Sequence, residues 1–181
     1  MSGPDRPPDG VDPALRAAVR EIEAHAAEAG WDQPARLFAL VPTADLVARE
    51  PELASRLGIA ADGNGSLTPV EQDGVPPDTA LESVLQQVIW PAEVLGCAAV
   101  VERLVLPPSA DADVPDDPGQ AQRYAAEHPD REEVRMVAAA TRTGSTYCAL
   151  RLRTHDDPRS VVEAPDLVPA LLELLRSTLE N

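Results

Sequence analysis

Apolar residues first recur at helical spacing at Leu15, Ala18, Val19, Ile22, Ala26 and Ala29, while Arg16, Arg20, Glu21, Glu23 and Glu28 fill much of the remaining circumference. A period near 3.6 predicts an amphipathic helix. Asp12-Pro13 supplies a capping carboxylate and a ring suited to the first helical position, and Gly30 ends the pattern. Trp31 follows at once, placed to fold back on the last turn and close that end of the core. Residues 1–11, rich in Pro, Gly and Asp, are expected to be a disordered lead-in to a single domain over 12–181.

The next signals are shorter. Positions 36–41 read as a strand stopped by Pro42; Thr43 then caps a short helix through Arg49, and Pro51 opens another turn ending at Leu57-Gly58. A turn over 62–66 precedes a brief strand over 67–70. Thr79 and Glu82 have capping-box spacing, and Leu81, Val84, Leu85 and Val88 form the apolar face of a helix that stops at Trp90-Pro91. Residues 94–106 predict the central strand, because their first half is apolar without alternation, as burial on both faces requires.

Residues 133–142 and 145–154 predict a hairpin around Thr143-Gly144. Val134, Met136, Ala138 and Ala140 share one parity, against Arg135, Val137, Ala139 and Thr141. In the second strand Cys148, Leu150 and Leu152 alternate with Tyr147, Ala149, Arg151 and Arg153. On this pattern Arg135, Arg142, Arg151 and Arg153 are expected to decorate one exposed sheet face. A leucine stripe from Leu167 to Leu179 predicts a last helix, started by Asp166, that packs deeply or forms an interface. The sum is an α+β fold: a mostly antiparallel sheet of about five strands with helices packed mainly on one face.

Composition changes this picture in one region and narrows the chemistry. Between 107 and 133 there are eight acidic residues and five prolines against only Arg123 and Arg131, which predicts a solvated excursion over about 107–132 with one helical turn near 120–127. Across the chain, 31 Asp and Glu oppose 15 basic residues, a net charge of -16, and all 15 are arginine. The absence of lysine excludes a lysine Schiff base. The charge opposes broad nucleic-acid or anionic-membrane binding, and neither partner is expected. No apolar run reaches membrane-spanning length and the first residues lack a secretory apolar region, so the expected location is cytoplasmic. Cys97 and Cys148 lie in apolar, strand-like surroundings and read as reduced packing residues.

Candidate chemistry is sparse. Asp62, Asn64, Ser66 and Asp73 occupy positions one, three, five and twelve of a calcium-loop frame, but Leu67 stands where the frame needs glycine, so a turn is favoured. Glu21, His25 and Glu28 share one side of the first helix and read as a solvated face in preference to a metal or acid/base site. His155-Asp156-Asp157 lacks a convergent nucleophile, and no frame joins His25, His128 and His155. No cofactor or metal is expected.

Trp90-Pro91, the stretch Glu102-Arg103-Leu104-Val105-Leu106-Pro107-Pro108 and the turn Arg142-Thr143-Gly144 together resemble an actinobacterial protein family of uncharacterised function, over most of the chain after residue 12. The resemblance implies a cytoplasmic α+β protein whose sheet is similar to those of secretion chaperones, and it carries no site residues. The favoured function is a non-enzymatic protein-binding or chaperone-like adaptor, including a homodimer, with Arg135, Arg151 and Arg153 pairing with partner carboxylates. The alternative is a small-molecule-binding protein or enzyme using a cleft between sheet and helices, with His25, His128 or His155.

Overall fold

The structure is a computed structural model, and it describes residues 11–56, 66–72, 80–106 and 112–180. The lead-in over 1–10, the turn at Leu57-Gly58, Asp62, Asn64 and Asp73 of the calcium frame, Thr79 of the capping box and residues 107–111 of the acidic excursion lie outside the described residues. Helix α1 (Pro13–Ala29) begins as its sequence dictates, with Asp12 Oδ1 accepting from the Ala14 and Leu15 amides at 3.0 and 3.3 Å. Val11, assigned by composition to the lead-in, is buried in the core beside it.

After α1 the chain forms β1 (Arg36–Pro42), α2 (Thr43–Arg49), α3 (Pro51–Arg56), β2 (Leu67–Gln72), α4 (Leu81–Leu85) and β3 (Gly96–Val105). It continues through α5 (Pro118–Glu127), β4 (Glu132–Thr141), β5 (Thr146–Leu152), β6 (Val162–Ala164) and α6 (Pro169–Leu179). Among the described residues, six strands make one antiparallel sheet in the order β2-β1-β3-β4-β5-β6. The sixth strand is β6, three residues long and too short to leave a periodic signal. Helix α5 runs ten residues where one turn was expected, because Asp117-Pro118 repeats the start signal of Asp12-Pro13 and Asp117 Oδ2 accepts from the Gln120 amide.

Helices cover both faces of the sheet. On one, α1 packs over Phe38, Leu40, Ala98, Val100, Val137, Ala139, Tyr147 and Ala149. On the other, α4 and α6 pack over Leu37, Ala39, Cys97, Ala99, Val101, Ala138, Ala140 and Cys148. Two-sided cover explains why β3 and β4 lack alternation. Alanine at 98, 99, 138, 139 and 140, all fully buried, keeps the centre thin enough for close helix approach. Helix α6 resolves the alternative its sequence left open: Leu171, Leu172, Leu175 and Leu179 are core residues.

Arg142 does not join an exposed face. Its guanidinium donates to the carbonyls of Val94 at 2.8 Å, Leu179 at 2.5 Å, and Trp90 and Pro91 at 3.2 Å, tying the end of α6 to the approach of β3. Trp90 is buried beside it and donates from Nε1 to Thr178 Oγ1 at 2.9 Å. Cys97 and Cys148 lie on β3 and β5 with β4 between them, opposite Ala140 and Ala138, so two strand spacings of about 4.8 Å and a two-residue offset put them beyond disulfide reach.

A Cβ at Gly96 would sit 2.5 Å from the Ala140 carbonyl oxygen, a backbone atom that strand pairing holds in place. Gly96→Ala is therefore expected to lower stability by about 1–3 kcal/mol, read as a lower denaturant midpoint at unchanged m value. Gly119→Ala, whose nearest neighbour is a side-chain oxygen at 3.4 Å, is expected to hold or raise the midpoint.

Candidate functional site

Strand register sets Glu102, Arg135 and Arg151 in one transverse row across β3, β4 and β5. They share the face that α1 covers, where small apolar residues give way to charge. Two arginines directly opposite on neighbouring strands repel. Glu23 enters from the buried side of α1 to meet them: Oε1 accepts from Arg151 Nε and Nη2 at 3.1 and 2.5 Å, and Oε2 lies 3.8 Å from Arg135 Nη1. Glu23 and Arg151 are each 5% exposed and Arg135 2%. Arg135 Nη2 donates to the Gly30 carbonyl at 2.7 Å, so the same arginine holds the end of α1.

Gly30 and Asp32 take left-handed conformations (φ 84° and 63°), turning the chain back over the row. This sets the Trp31 ring against Arg135 and Arg153, whose guanidinium carbons lie 4.3 and 5.7 Å from its centroid. Trp31 Nε1 donates to Asp156 Oδ2 at 3.1 Å, and Arg151 Nη1 donates to Asp156 Oδ1 at 2.9 Å. Arg153 bridges Asp32 and Glu133, while Glu102 accepts from the Asp32 and Gln33 amides at 2.8 and 2.7 Å. The hydrogen bond with Arg151, then that with Trp31, holds the Asp156 carboxyl below the usual range. Burial works against the Arg151 guanidinium, but its bonds to Asp156 and Glu23 raise it.

Open grooves flank α1. One, of about 570 Å³, lies between α1 and the β5–β6 side; Arg20 and Glu163 pair across it, Glu23 and Arg151 contribute to its lining, and Pro158 and Val161 form a wall. The other, of about 510 Å³, lies between α1 and β1–β2, with Ile22, Phe38 and Pro69 beneath Glu21, Glu28 and Glu71. Ala24 and Glu28 border both. Beside the second groove, Arg36 donates to Glu71 at 2.7 and 2.8 Å and lies 5.5 Å from the Phe38 centroid. Arg36 is the main cause of the lowered Glu71 carboxyl, and the charge of nearby His25 contributes.

The expected arginine face is corrected by this cover. Arg135 and Arg151 are buried and already paired beneath α1, and only Arg153 is substantially exposed. Parity places them on one face correctly, but charge on a strand predicts solvent where α1 instead supplies cover. Glu23 was missed: a glutamate in a helix reads as surface, although it follows Val19 by four residues and precedes Ala26 by three, at the margin of the apolar stripe.

The histidines stay apart. His25 lines a groove; His128 Nδ1 accepts from the Asp130 amide; His155 Nδ1 meets Thr154 Oγ1. Ser66, from the calcium frame, donates to Thr43 Oγ1, which takes Thr43 away from the capping role its position suggested. Among the described residues no group of three or more His, Cys, Asp or Glu is disposed to hold a metal ion, and no helix is long and apolar enough to cross a membrane. Burial pushes the Cys97 thiol up to about 11 and raises that of Cys148 as well.

The family model described as PPA1309-like protein matches residues 15–180, from the first buried leucine of α1 to the residue after α6. The chain belongs to this family. The PPA1309-like match contains every residue of the Glu23–Arg135–Arg151 cluster and both grooves. No curated protein and no solved structure matches the chain.

Glu23→Ala is expected to cost about 3–5 kcal/mol by leaving the buried Arg135 without a carboxylate and Arg151 with Asp156 alone, whereas joint replacement by Glu23→Met, Arg135→Met and Arg151→Met recovers most of it; denaturant melts compare the two. An unfolded Asp156 carboxyl titrates near pH 4. Its folded value is lower, so its contribution is full above pH 4 and is lost as pH falls through that lower value. Asp156→Asn is expected to flatten the acid side of the stability profile below about pH 4, measured by melts across pH. Cys97 and Cys148 are expected to resist iodoacetamide at pH 8 in the native state and to react fully in denaturant, counted by mass.

Proposed function

We propose that the chain is a non-enzymatic protein-binding module that docks a partner on the exposed side of α1. The observation that carries this reading is the ridge itself, an exposed helix side with an open groove on each flank. A partner straddling Ala17, Ala24 and Glu28 reaches both grooves at once, a shape suited to a macromolecule. The nearby charges favour binding over catalysis, since Glu23, Arg151 and Asp156 are committed to one another. Arg153, at the exposed margin of the cluster and held there by Asp32 and Glu133, is the one arginine of the three expected from sequence that a partner's rim can reach. Adaptor or chaperone-like use, a second copy as partner and a cytoplasmic setting belong to this proposal. So does an actinobacterial origin, supported by the use of arginine for all 15 basic residues.

The second reading is small-molecule binding in the groove beside β5–β6. Its volume of about 570 Å³ falls in the range of ligand sites.

Photo-crosslinking separates them. With the crosslinker at Ala24, a discrete protein adduct is expected in native cells, absent with the crosslinker at Gln122 on α5. Adducts of equal yield at both positions, or none at Ala24, overturn the docking face.

A further inference from the structure

We infer that the groove between α1 and β1–β2 takes a cationic side chain, Lys or Arg, from a basic segment of the partner; this rests on the α1 docking face proposed above. The groove has the two parts such a side chain needs. Ile22, Phe38 and Pro69 offer an apolar floor for an aliphatic stem, and Glu21, Glu28 and Glu71 place carboxylates above it.

The chain's own Arg36 already demonstrates this chemistry. Its guanidinium is held by both oxygens of Glu71 and lies against the Phe38 ring. The site is not saturated by that pair: Glu21 and Glu28 pair with no cation among the described residues. Across the molecule the charge is equally one-sided, because the arginines are largely spent on internal carboxylates and carbonyls while the net charge is -16. A basic segment is thus drawn to the protein at long range and fixed at this groove by contact. The neighbouring groove differs, because its carboxylates Glu163 and Glu23 are already paired with Arg20 and Arg151.

The test titrates the ¹⁵N-labelled full chain with four capped tripeptides, Ala-Arg-Ala, Ala-Lys-Ala, Ala-norleucine-Ala and Ala-Glu-Ala, following amide shifts. The Arg and Lys peptides are expected to shift the amides of Glu21, His25, Glu28 and Glu71 with saturation at millimolar concentration and weakening in salt. The Glu21→Gln/Glu28→Gln variant, altered only at exposed positions, is expected to bind them about threefold or more weakly. Equal shifts with norleucine would reduce the site to an apolar groove and overturn the cationic assignment. Shifts centred on the β5–β6 groove, or none, overturn it as well. This result is independent of the crosslinking experiment, so the groove's chemistry can fail while α1 still docks a partner, and the docking face can fail while the groove still binds a cation.

Discussion

Antiparallel register forces Arg135 and Arg151 side by side, and a helix covers them; the structure depends on the carboxylate that makes this tolerable. Glu23 supplies it from α1, bonding Arg151 with one oxygen and facing Arg135 with the other. Buried ion pairs are poor sources of net stability, since desolvation offsets most of their attraction. Their force lies in what they forbid. A shift of α1 by one turn would withdraw Glu23, leave the buried Arg135 with no carboxylate and take from Arg151 one of its two, so the cluster fixes how the helix lies on the sheet. Both flanking grooves inherit their shape from that placement.

A second constraint operates in the middle of the sheet. With α1 on one face and α4 and α6 on the other, large side chains at the centre of β3 and β4 would hold the helices away. Alanine and Gly96 keep the layer thin, and aliphatic volume comes instead from the helices. Arg142 completes the second face by drawing four carbonyls from two separate segments onto one guanidinium.

Much of this architecture was legible in the sequence. Asp12-Pro13 and Gly30 marked the limits of α1, Thr143-Gly144 marked the hairpin, and the parity of β4 and β5 was correct. The direction in which each parity faced was less legible. Apolar residues on both parities of β4 did signal cover on both sides, but Arg135 and Arg151 outweighed that signal because charge is ordinarily solvated. Burial of such groups is decided by a partner distant in sequence, and no local pattern in β5 points to Glu23. The β6 strand was invisible for a different reason: three residues show no period, and its pairing with β5 creates it. The grooves are products of packing, so sequence could nominate Glu21, His25 and Glu28 as a surface without revealing Phe38 beneath them.

Glu23 and Arg151 are separated by 128 positions along the chain. A contact of that span closes only after the intervening strands have found their order, because the loop it completes contains most of the sheet. Detaching α1 from an otherwise intact sheet breaks the Glu23 pairing and at the same time uncovers Leu15, Val19 and Ile22 together with the apolar face beneath them. The unfolding of α1 is thereby coupled to that of the sheet in one cooperative unit.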